Sequence, residues 1–243
     1  METATIAVGS VVTLLAVGRV RGRSLLALAA VLVGVVSLLG PLDGWAERGL
    51  SAHMLQHVLI GDLAPLLLVL AVRGSDLARL LPPRLAFVLP WADRLFRPAP
   101  AFAIWAAAMG IWHIPFMYDL ALEQERVHAF EHGCFMVGGL LVWTQLLDPA
   151  RRGLLRGWRR FGYAMALLVA AQALANTLVL SYRPLYDAYA ATRRPLGLSA
   201  VGDQDAAAVV MMVEQVLTLG TAALLLLLPR LRRRRVARVA APA

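Results

Sequence analysis

The chain has 243 residues, is 60% hydrophobic with a mean hydropathy of +0.68, and carries a formal net charge of +9 on 24 basic residues that are all arginine. Soluble domains are about 45–50% apolar, so the composition excludes an ordinary soluble domain and points to a membrane protein. The arginines fall in short clusters between apolar runs, which membrane topology explains better than nucleic-acid binding, and the single cysteine, Cys134, excludes an intramolecular disulfide.

A membrane span needs about 20 predominantly apolar residues, and the sequence predicts seven. The first covers about residues 3–18; its leading stretch, METATIAVGS, is acidic and its arginines follow the apolar run, the reverse of a signal peptide. It reads as a retained helix with its N-terminus outside. The second covers 24–40 and is closed by Pro41. The third, 51–72, opens with His53 and His57; the fourth, 99–113, is short and ends at Trp112 and His113. The fifth, 126–147, carries His128 and His132 in its first turns, and the sixth covers 161–180. The loop from Ser181 to Gln204, with its prolines and glycines, reads as an ordered lid ahead of the seventh span, 205–228, and residues 229–243 form a basic tail. The expected fold is all-α: a single seven-transmembrane helix bundle over residues 1–243.

Alternate connections hold 19 of the 24 arginines. By the positive-inside rule this places the N-terminus outside and the C-terminus in the cytoplasm. On that map all five histidines lie within about two turns of the outer face. Trp45, Trp112, Tyr118, Tyr182, Tyr186 and Tyr189 fit an interfacial aromatic belt on the same side.

Residues spaced i, i+4 share a helix face, so His53/His57 and His128/His132 each present two imidazoles together. Neutral imidazole is the commonest side-chain metal ligand, and two such pairs from neighbouring helices can complete a four-coordinate site. His113 is a fifth nitrogen donor, and Asp203 with Gln204 adds oxygen donors at the mouth of the last span. Nitrogen-rich sites suit copper, zinc or iron, and affinity alone favours Cu(II). Met54 and Met117 lie near the histidines; Met136 continues the His128/His132 stripe and Met211 sits at a similar depth. Thioethers select Cu(I), although methionine is also a common apolar filler. Cys134 points to the other side of its helix. Glu131 and Asp62 are candidates to orient imidazoles from behind. The plainer alternative is a structural hydrogen-bond network of the histidines with Asp203, Gln204, Asp119 and Glu131.

The motifs occur in a definite order. H-M-x-Q-H at His53, Met54, Gln56 and His57 precedes an apolar run with Pro65. W-H-x-P-x-x-Y-D follows at Trp112, His113, Pro115, Tyr118 and Asp119, then H-x-x-E-H at His128, Glu131 and His132. P-L-Y-x-x-Y runs from Pro184 to Tyr189, and G-L-S precedes Asp203 and Gln204. Over about residues 30–228 this resembles the CtaG family, the caa3-type cytochrome c oxidase assembly factors of bacterial plasma membranes. Two departures stand out: Gly202 and Asp205 flank the Asp203-Gln204 pair where the family pattern has an acidic and a small or apolar residue, and Glu214 lies inside the last span.

The resemblance implies a role in maturing a haem–copper oxidase by supplying copper to it. The implied partners are an oxidase subunit, an extracytoplasmic copper carrier and the lipid bilayer, with a homo-oligomer open and no nucleic acid. The candidate metal ligands are His53, His57, His113, His128, His132 and Asp203, with Met54, Gln204, Met136, Met211 and Glu131 as secondary candidates. No catalytic residue is assigned. Copper is the expected metal, with zinc or haem as alternatives. Zinc would suit a metal-dependent intramembrane hydrolase, and haem held between facing helices would suit a membrane cytochrome.

Overall fold

In a computed structural model of the chain, residues 23–72, 93–189, 194 and 197–240 are described, with side chains to Leu231. Among them every regular element is helical. They are α1 (Ser24–Leu39), α2 (Pro41–Ala46), α3 (Leu50–Ala71), α4 (Pro98–Trp112), α5 (Pro115–Glu123), α6 (Glu125–Leu147), α7 (Trp158–Val179) and α8, which runs from Ala200 to Ala240. The first expected span, 3–18, lies outside the described residues.

Three helices are long and apolar enough to cross a membrane: Leu50–Ala71, Trp158–Val179 and Ala200–Leu231. A fourth results if α4 and α5, bent by 77° at their junction, are one broken span. The other two expected spans take different forms. α1 is apolar but only 16 residues long. α6 has 23 residues, but Glu131, His132 and Gln145 interrupt its apolar sequence. The structure thus has the apolar helices of a membrane protein.

Local chemistry sets the helix ends. Pro115 fills the first turn of α5, where a missing N–H costs nothing, so the chain turns and restarts as a helix where the sequence predicts a loop. α8 begins at Ala200, five residues before the expected span. Its N-cap is Ser199, whose Oγ accepts the Gly202 N–H at 3.0 Å. α3 and α8 each contain a π turn, Leu59–Leu63 and Val216–Gly220. The turn in α3 carries Asp62, which accepts the Trp143 indole N–H at 2.7 Å.

α6 packs against both α3 and α4, and glycine makes this possible. A methyl group at Gly139 would sit 2.0 Å from the Gly61 carbonyl oxygen and 2.8 Å from Pro65 Cγ. One at Gly138 would meet Trp105 Cα at 3.3 Å. The backbones of α3 and α6 therefore touch about 10 Å along α6 from His132, at 1.5 Å rise per residue. Above this contact the first turns of the two helices face each other. On the other side α8 packs against α3 and α7.

Candidate metal centre

α3 and α6 each present a histidine pair to the gap between them. His53 Nε2 lies 2.7 Å from His57 Nε2 and 3.2 Å from His128 Nε2. The His57 and His132 rings are 5.1 Å apart, centre to centre, and those of His128 and His132 are 4.2 Å apart. One ring nitrogen from each of the four lies within 4.8 Å of the others. Four nitrogens bound tetrahedrally at about 2.0–2.1 Å would stand about 3.4 Å apart, so the set fits a single ion with small ring movements. His53 and His57 are buried, His128 and His132 half-buried.

Several polar atoms around this cluster are buried without a hydrogen-bond partner among the described residues: His57 Nδ1, His132 Nε2 and both carboxyl oxygens of Glu131. Buried polar groups are nearly always satisfied, so these atoms have bonding capacity that no described residue takes up. A Glu131 oxygen lies 3.9 Å from His57 Nδ1, placing a carboxyl group behind an imidazole, as metal-bound histidines commonly have.

The remaining candidates stand elsewhere. His113 hydrogen-bonds the Met109 carbonyl through Nδ1 at 2.7 Å, and its ring is 6.2 Å from that of Phe135. Its Nε2 is buried and has no partner among the described residues, but it is not one of the four clustered rings. Asp203 accepts the Leu50 N–H at 2.7 Å, the Ser51 N–H at 3.3 Å and the Ser51 hydroxyl. Met54 and Met211 are buried in an apolar cluster with Leu50, Tyr118, Leu178 and Tyr186. Met136 is half-buried, and Met117 and Cys134 pack beside Trp112 and Phe135.

Gln204 organises the loop that follows α7. Its amide donates to the carbonyls of Leu178, Ser181 and Arg183 at 2.9, 3.2 and 3.3 Å, and its oxygen accepts the Leu185 N–H at 2.9 Å. Asp119 accepts the N–H groups of Asp187 and Ala188. So held, the loop brings Tyr189 to 2.7 Å from His53 Nδ1. Burial pushes the Tyr186 and Tyr189 hydroxyls above the ordinary tyrosine range, so both stay protonated. The sequence pattern did not single out Tyr189 at this site. Gln56, inside the H-M-x-Q-H motif, donates to the Ser37 carbonyl at 2.8 Å and to Asp43 Oδ1 at 2.9 Å, tying α3 to the α1–α2 corner.

No curated protein matches the chain, and no solved structure does. A family described as cytochrome c oxidase caa3 assembly factor matches residues 9–233, which include every histidine of the cluster and the loop that closes over His53. The chain therefore belongs to the cytochrome c oxidase caa3 assembly factor (CtaG) family.

Proposed function

We propose that this chain assists the maturation of a haem–copper cytochrome c oxidase by taking up copper at the four-histidine cluster and passing it to an oxidase subunit. The observation that carries the reading is the convergence of four imidazoles from two helices, one ring nitrogen of each lying within 4.8 Å of the others. Copper is cargo here. His53, His57, His128 and His132 would hold it, with Glu131 behind His57; His113, Asp203, Gln204 and the methionines support the surroundings. The half-buried pair on α6 leaves one side of the cluster approachable, as exchange of an ion between proteins requires.

The same reading takes the chain as one bundle of seven spans in the bacterial plasma membrane, crossing it repeatedly. The arginine distribution puts the N-terminus and the histidines outside and the tail in the cytoplasm. An extracytoplasmic carrier would then supply the copper.

The test is elemental analysis and a visible spectrum on protein purified in mild detergent, beside a His53→Ala/His57→Ala variant. Near-stoichiometric copper that the variant loses is the expected result. Zinc that survives copper exposure would favour hydrolase chemistry instead, and a Soret band would mean haem. Absence of any metal after loading would overturn the copper role.

A further inference from the structure

The hydroxyl of Tyr189 lies 2.7 Å from His53 Nδ1, 2.9 Å from the Ala46 carbonyl oxygen and 3.3 Å from the Tyr118 hydroxyl. A phenol has one proton to donate. Two oxygens at 2.9 Å need a proton between them, and a carbonyl has none, so the Tyr189 proton goes to Ala46. The contact with His53 must then be made by a proton on Nδ1, and the contact with Tyr118 by the Tyr118 hydroxyl. Toward these groups Tyr189 thus accepts twice and donates once.

A neutral imidazole carries one proton. With that proton on Nδ1, His53 Nε2 is a lone pair, and Nε2 is the atom that lies 2.7 and 3.2 Å from the neighbouring Nε2 atoms. We infer that Tyr189 is a positioning residue of the metal centre: its hydroxyl, oriented by the Ala46 carbonyl, fixes the His53 tautomer that leaves the Nε2 lone pair facing the neighbouring imidazoles. This inference rests on the copper-binding reading for its consequence, although the tautomer itself does not depend on a metal. It gives the loop after α7 a chemical task. Gln204 and Asp119 anchor the loop, and Tyr189 within it sets the lone pair of a ligand one helix away.

Tyr189 lies among Tyr118, Tyr186 and Met54, so Tyr189→Phe keeps the ring and removes only the hydroxyl. The experiment compares wild-type protein with Tyr189→Phe and Tyr118→Phe in detergent. Nitrogen NMR of histidine-labelled, metal-free protein reads the tautomer, with the His53 signals assigned by their loss in His53→Gln. Competition against a chromophoric Cu(I) chelator reads affinity. The expected result is a proton on Nδ1 in the wild type and in Tyr118→Phe, and its loss as the single fixed form in Tyr189→Phe. Copper affinity should fall about ten- to a hundredfold in Tyr189→Phe, the range typical of outer-shell partners, and stay within about twofold in Tyr118→Phe. A proton on Nε2 of His53 in the wild type would overturn the inference whether or not the variants fold. So would a Tyr189→Phe protein that keeps both tautomer and affinity. If the wild type shows the Nδ1 tautomer but takes up no copper, the copper reading fails while the hydrogen-bond assignment stands.

Discussion

Asp203 caps Leu50 across 153 residues of chain: its Oδ2 accepts the Leu50 N–H at 2.7 Å while Oδ1 takes the Ser51 N–H and hydroxyl. The carboxylate at the start of α8 therefore satisfies the free N–H groups at the start of α3 and sits where the helix dipole favours negative charge. Asp203→Ala should cost about 1–2 kcal/mol of stability, the range for losing a helix cap, and Asp203→Asn less. Thermal melts check the cost, and metal analysis checks the role. Asp203→Asn should keep its copper; a variant that melts like wild type yet loses copper would make Asp203 a ligand after all.

Gly139→Ala should be among the most damaging single changes to the packing. The added methyl would overlap the Gly61 carbonyl at 2.0 Å, and overpacking of this kind costs about 1–3 kcal/mol, occasionally more. Copper uptake should drop with it, because α6 carries His128 and His132. Gly133→Ala on the same helix meets nothing within 4 Å and should be neutral or stabilising by up to about 1 kcal/mol. Denaturation curves of the two variants side by side give the answer.

Glu131→Gln keeps the size of the side chain and replaces its carboxyl group with an amide. Its oxygens have no hydrogen-bond partner among the described residues, so stability should hold. Copper affinity should fall about ten- to a hundredfold if the carboxyl orients His57. An unchanged affinity in a chelator competition would confine Glu131 to a packing role.

Met54→Leu and Met211→Leu should each cost less than about 1.5 kcal/mol, as volume-conserving apolar exchanges do, and leave copper stoichiometry unchanged. Both thioethers are enclosed in the apolar cluster around Tyr118 and Tyr186. Loss of Cu(I) in either variant would instead bring that methionine into the ligand set.

The histidine pairs are legible in the sequence because i, i+4 spacing puts two side chains on one helix face whatever the rest of the chain does. That α3 and α6 face each other is only implied there, since the contact depends on two bare glycines meeting. Helix starts blur where hydropathy and capping disagree: apolarity begins near residue 205, whereas Ser199 caps the helix at Ala200. α5 escapes a hydropathy reading because Pro115 and the break before it look like a loop. Tyr189 has the sequence signature of an interfacial aromatic, since only the folded-back loop brings it to His53. The π turns around Asp62 and after Gln215 leave no recognisable pattern.

The contact of Gly139 with Gly61 also makes a fulcrum. Two backbones already touching cannot move closer there, so beyond rotation of the rings themselves the spread of the histidines changes by rocking α6 about that point. With His132 about 10 Å up the lever and His128 about 16 Å up, at 1.5 Å rise per residue, a tilt of roughly six degrees moves them by about 1 Å and 1.7 Å. A barely visible change in helix crossing angle is thus enough to open or tighten the histidine cluster.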